Sequence, residues 1–214
     1  MDMISLAHAA VAPIILANLA LLASSRLVTC IRLVALQGAV ISITPLFFEV
    51  GPLTAHTAIL CAVALGLKGV VFPLLMQRTL RRVAVRHEIE PYMGYPLSIL
   101  MGILGLLASL WLADRLGVPE ASARSFAAAF ATILAGLLLI VTRKKAFTQV
   151  LGYLTAENGI FLLTAVLAPG GPLFIELAIL LDVFVAVFVM GIAIHHINRQ
   201  FDCIDTDRFC SLKD

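Results

Sequence analysis

Runs of twenty-odd apolar residues, parted by short charged breaks, limit what this chain can fold into more than any motif does. About 20 such residues, rising 1.5 Å each as helix, cross the ~30 Å hydrocarbon core of a bilayer. Seven runs of this kind can be read, at about 3–24, 29–48, 53–77, 93–113, 123–142, 147–168 and 173–197. The breaks have turn or charge chemistry: "SSR", "EVGP", "QRTLRRVAVRHEIEP", "DRLGVPE", "RKK" and "APGGP". Of 214 residues 61% are hydrophobic and only 13% charged, a balance outside the range of soluble domains. The expected fold is all-α, a polytopic membrane protein with seven transmembrane helices in one transmembrane domain, 1–214. Within it, 1–142 hold spans one to five, 143–197 hold spans six and seven, and 198–214 form a tail.

Charge placement sets the expected orientation. Twelve of the fifteen basic residues fall on one side, in Arg26, Arg32, the loop at 78–92, Arg143–Lys145 and the tail. Arg115 and Arg124 fall on the other, and Lys68 lies inside a span. The positive-inside rule then puts the N-terminus outside and the C-terminus in the cytoplasm, as an odd number of spans requires. No cationic segment precedes the first apolar run, so that run is expected to be a retained helix.

The polar segments at 78–92 and 198–214 hold neither a glycine-rich phosphate loop nor a nucleophile–base pair. No basic face is large enough for nucleic acid. Cys203 and Cys210 flank two aspartates, but their spacing matches no standard zinc pattern, and with Cys30 and Cys61 they read as reduced thiols. No metal, cofactor or catalytic residue is expected in this chain.

Attention then falls on ionisable residues inside the spans, which cost several kcal/mol or more in hydrocarbon. Lys68 lies nine residues from Gln77, about 13–14 Å deep; Glu157 lies about 15 Å deep, and Asp182 about 13–14 Å from the opposite surface. All three reach the midplane, while Glu176 is shallower. Gln149, Tyr153 and Glu157 follow at i, i+4, i+8 and share a stripe from the cytoplasmic end to the midplane. These six residues are the candidates for a proton or ion path. Two plainer readings stand beside it: a buried ion pair that fixes helix packing, and a contact with a charge on another subunit. Pro73 leaves the Gly69 carbonyl without its helical donor, and that carbonyl is one residue from the Lys68 ammonium it could hold. The sets "GLKG" and "GILG" read as helix-packing surfaces.

The segments "ALQGAVIS", "LKGVVFPLLM", "VTRKKAFTQVLGYLTAENGIFLL" and "IELAILLDVFVAVFVMGIAIHHINRQF" resemble hydrogenase-4 component E. That family supplies a membrane subunit of energy-converting [NiFe] hydrogenases and formate hydrogenlyase-type complexes. The last three spans are also similar to the K-type subunit of respiratory complex I and of multisubunit cation/proton antiporters. Glu176 matches that family's third-helix carboxylate, whereas Leu154 stands at its second-helix position, three residues before Glu157. The resemblance implies a bacterial or archaeal plasma membrane and antiporter-like membrane-arm partners. It also implies peripheral hydrogenase subunits whose Ni-Fe and Fe–S centres lie outside this chain. The implied role is a non-catalytic subunit that offers protonatable residues to H+ or Na+ translocation. A passive scaffold, a subunit of a multisubunit cation/proton antiporter and a self-sufficient transporter are the rivals; the transporter would need matching broken spans in two halves, and no such repeat is evident.

Overall fold

A computed structural model describes residues 3–48, 55–83, 92–167 and 180–183. Among these every regular element is helical. They are α1 (Met3–Ala23), α2 (Leu27–Ile43), a single turn α3 (Pro45–Phe48), α4 (Ala55–Gly66), α5 (Phe72–Val83), α6 (Tyr95–Arg115), α7 (Glu120–Thr142) and α8 (Ala146–Leu167). A π-helical turn, Leu67–Val71, joins α4 to α5 without a break. The helices follow six of the apolar runs closely. The seventh run, 173–197, lies outside the described residues except for a helical stretch at 180–183. Among the described residues, four helices are long and apolar enough to cross a membrane: Ala55–Leu80, Tyr95–Arg115, Ser122–Thr142 and Phe147–Leu167. Ala9–Ala23 and Leu27–Ile43 are shorter apolar helices.

Proline chemistry explains two irregularities. Pro45 has no N–H to offer the Ile41 carbonyl, which instead accepts the Thr44 hydroxyl at 2.6 Å and the Thr44 N–H at 3.0 Å. α2 ends there. Pro73 likewise cannot serve Gly69, and just before it the ladder widens, the Phe72 N–H bonding back five residues to the Leu67 carbonyl. The turn after α6 is closed differently. Gly117 has a φ of 63°, and its N–H bonds Asp114 while that of Val118 bonds Ala113. This is the left-handed cap that ends many helices.

α7 and α8 pack backbone to backbone. A side chain on Gly136 would strike the Ala156 nitrogen, one on Gly152 would stand 2.8 Å from the Gly136 carbonyl, and one on Gly159 2.7 Å from the Ile133 nitrogen. Small residues replace large ones here because apolar burial gives no drive to associate in lipid, and close van der Waals contact must supply it. "GILG" behaves as expected, with Gly102 against Leu22 and Gly105 against Leu134. "GLKG" does not: Gly66 meets nothing within 4 Å and Gly69 only Ala39 and Leu65 at 3.8 Å.

The core is layered along the bundle. One apolar cluster joins the end of α1, the start of α2, α5, the end of α7 and the start of α8, through Leu22, Ile31, Met76, Leu139 and Leu151. Another joins opposite helix ends through Ile14, Ile41, Ala113, Ala128 and Phe161. This sharing of ends means that successive helices alternate in direction. Arg143, only 1% exposed, ties the first end together. Its guanidinium donates to the Leu22 carbonyl at 2.9 Å and lies 4.6 Å over the Tyr95 ring. The outside is apolar: Leu97, Leu100, Leu104, Leu107 and Trp111 of α6 are all exposed. Tyr95 and Trp111 lie about 24 Å apart along α6, each beneath an arginine. Aromatic residues at that spacing suit the two interfaces of a bilayer.

Candidate functional site

Between the two apolar clusters lies a polar layer. The π-helical turn contributes Lys68, α8 contributes Glu157 and Asn158, and the stretch 180–183 contributes Asp182. All four are buried, at 5%, 3%, 3% and 0% exposure respectively. The Lys68 ammonium stands 2.9 Å from Asp182 Oδ1 and 4.0 Å from Glu157 Oε1. It donates to Asn158 Oδ1 at 3.1 Å and sits 5.1 Å from the centre of the Phe161 ring. Lys68 can reach all of these because α2 gives way. A side chain on Gly38 would lie 2.9 Å from Lys68 Cβ and 3.5 Å from the Asn158 amide.

The charge balance of the site is uneven. Apart from the ammonium, no hydrogen-bond donor among the described residues reaches the oxygens of Glu157 or Asp182. Two ionised acids against one ammonium would leave a net negative charge in apolar surroundings. Such an excess is costly, and it is relieved by a proton, a cation or a base on a neighbouring subunit. The charge balance therefore has a place for one further positive charge beside the Lys68–Asp182 pair.

A narrow crevice, with room for no more than a water molecule, borders Lys68 between α2, α5 and α8. Its lining includes Val34, Ala35, Phe72, Met76 and Leu154, so it is almost wholly apolar.

No family model and no solved structure matches the chain. Individual proteins do. The uncharacterized Mycobacterium tuberculosis protein Rv0085 is 30% identical over 188 residues, covering 86% of this chain and 85% of its own length. The chain belongs to that protein's family. Hydrogenase-4 component E of Escherichia coli K12 is 29% identical over 148 residues, 68% of each chain, and the Shigella flexneri protein of that name matches to the same extent. The similarity to component E thus spans about two thirds of both proteins.

Within this chain, the candidates read from the sequence separate into groups. Lys68, Glu157 and Asp182 are brought together. Gln149 is not with them: it donates to the Arg143 carbonyl at 3.0 Å, at the turn between α7 and α8. Tyr153 is 39% exposed, so the stripe from Gln149 to Glu157 is not a buried track within this chain. The reason is the glycine face: Gly152, Ala156 and Gly159 press on α7 and turn Tyr153 outward. Glu176 lies outside the described residues, as do Cys203 and Cys210. The ammonium does not bind the Gly69 carbonyl; the side-chain oxygens of Asn158 and Asp182 take it instead.

Sequence reasoning passed over Asn158 because it sits a helical step round from Glu157. Both nonetheless flank Lys68, whose ammonium lies between the two directions. A second buried set was also missed. Gln37 Nε2 donates to Asn18 Oδ1 at 2.8 Å, and Asn18 Nδ2 donates to Thr132 Oγ1 at 2.8 Å. Thr132 in turn donates to the Ala128 carbonyl at 2.6 Å. The signal was available: each is a lone polar residue in mid-run, in "ILANLALL", "VALQGAVI" and "FATILAG".

Proposed function

We propose that this protein is a non-catalytic membrane-arm subunit of a hydrogenase-type, complex I-related complex, and that its buried charge cluster serves H+ or Na+ translocation. The observation that carries the reading is the Lys68–Asp182–Glu157 group, fully buried at one level of an apolar bundle. Buried ion pairs are poor stabilisers beside apolar packing, so three ionisable groups retained together favour use over glue. Similarity to hydrogenase-4 component E supports the setting. The seven spans with the N-terminus outside, and the K-type likeness of the last three, belong to the same proposal. The gathering of Arg26, Arg78, Arg143 and Lys144 around one end of the bundle favours that orientation.

Partners on this reading are antiporter-like membrane subunits and peripheral hydrogenase and Fe–S subunits, in a bacterial or archaeal plasma membrane. The exposed faces of α6 and Tyr153 are available to those subunits or to lipid. The test is purification through a tag on this chain from gently solubilised membranes. Co-purification of a nickel-containing subunit with hydrogenase activity is expected; recovery of the chain as an active lone transporter would refute the reading.

A further inference from the structure

The second polar set, Gln37–Asn18–Thr132, has no titratable group and touches none of the charged residues directly. It joins three helices: α2 through Gln37, α1 through Asn18 and α7 through Thr132. Gln37, Asn18 and Thr132 are 1%, 5% and 0% exposed, and Gln37 Oε1 meets no donor among the described residues. Leaving a buried amide oxygen unpaired is costly, and an apolar residue at position 37 would avoid that cost. Three buried polar side chains on three helices, bonded in series, tie those helices together by directed contacts.

The result is a preferred height and rotation for α2. The residue after Gln37 is Gly38, the part of α2 that lies against Lys68. Its missing side chain is what leaves room for the Lys68 stem and the Asn158 amide. Directed hydrogen bonds between helices add to apolar packing a preferred height and rotation. The precision needed is high. Lys68 is 2.9 Å from one acid and 4.0 Å from the other, so a displacement of its stem by about one ångström changes which carboxylate it neutralises.

We infer that Gln37, Asn18 and Thr132 are positioning residues that hold Gly38 against Lys68 and so set how the ammonium is divided between Asp182 and Glu157. The inference rests on the translocation role proposed above. It assigns no proton to the amides. Their part is to keep α2 in register, with α7 as the anchor: α7 is locked against α8 at Gly136, and α8 carries Glu157 and Asn158. The network and the charge cluster thus share one frame.

The test uses the whole complex in sealed vesicles and follows ions moved per electron pair across a range of pH. Gln37→Leu and Thr132→Val are close in shape to the native residues but remove the hydrogen bonds. Both are expected to leave hydrogenase turnover intact, lower coupled translocation about twofold to tenfold, and move its pH profile. Gln37→Leu combined with Gly38→Ala should do no more than the worse single change, because both act through the position of α2. Ser109→Ala, which removes a buried hydroxyl bonded only to its own helix, should leave the profile in place. Wild-type coupling and pH profile in Thr132→Val would overturn the inference, and that variant decides the matter if Gln37→Leu does not assemble. Glu157→Gln distinguishes the two levels. If it abolishes coupling while the network variants behave as wild type, only the positioning role fails. If it also behaves as wild type, the translocation role falls and the inference falls with it.

Discussion

Replacing Lys68 by methionine should expose the energetics of the cluster most clearly. Methionine fills much the same volume, so the change removes charge more than packing. Removing one partner of a buried pair typically costs about 3–5 kcal/mol, because the other charge is left uncompensated. Here the ammonium stands 2.9 Å from Asp182 and 4.0 Å from Glu157, and whichever acid is ionised loses its counter-charge. With an effective dielectric of about 20, those two separations differ by ~1.5 kcal/mol in attraction. The coupling of Lys68→Met with Asp182→Asn should therefore exceed its coupling with Glu157→Gln by roughly that amount. Thermal unfolding of this chain within the purified complex, for the wild type, the singles and both doubles, gives the two cycles. Equal couplings, or a larger one for Glu157, would refute the assignment of Asp182 as the main counter-ion. Failure of both to couple would refute pairing within the chain altogether.

Three further outcomes follow from the fold and its proposed orientation. Arg143→Met loses the bond to the Leu22 carbonyl and the stacking on Tyr95, so it should destabilise the subunit by about 1–3 kcal/mol in the same melting assay; no change would mean that the contact is idle. Gly159→Leu should prevent α7 and α8 from closing and so block assembly, seen as loss of the subunit from the purified complex, while Gly66→Ala, with open space around it, should be silent. An impermeant thiol reagent should label Cys203 and Cys210 in inside-out vesicles; ready labelling in right-side-out vesicles would reverse the proposed orientation.

Much of the architecture was legible because bilayer thickness imposes a length on each apolar run. The predicted runs at 93–113, 123–142 and 147–168 differ from α6, α7 and α8 by no more than about three residues at either end. That Lys68, Glu157 and Asp182 could meet at one level was legible for the same reason, since rise per residue converts position into height. Rotation about the helix axis was not. Tyr153 and Glu157 share a stripe in sequence, yet the glycine face of α8 decides that one is exposed and the other buried. Asn158 was lost to the same limit: a long lysine side chain reaches across the angle that separates neighbouring residues. Pro73 announced a defect in the helix but not its form. A widened turn redirected Lys68 towards side chains rather than towards the freed carbonyl.

The central claim is that the buried cluster carries a charge that moves, and Glu157→Gln tests it most directly. The amide keeps the shape of the side chain and removes only its capacity to bind and release a proton. In the purified complex, reconstituted in sealed vesicles with electron transfer running, the account predicts normal assembly and turnover with translocation strongly reduced. Translocation equal to wild type across the pH range would contradict it.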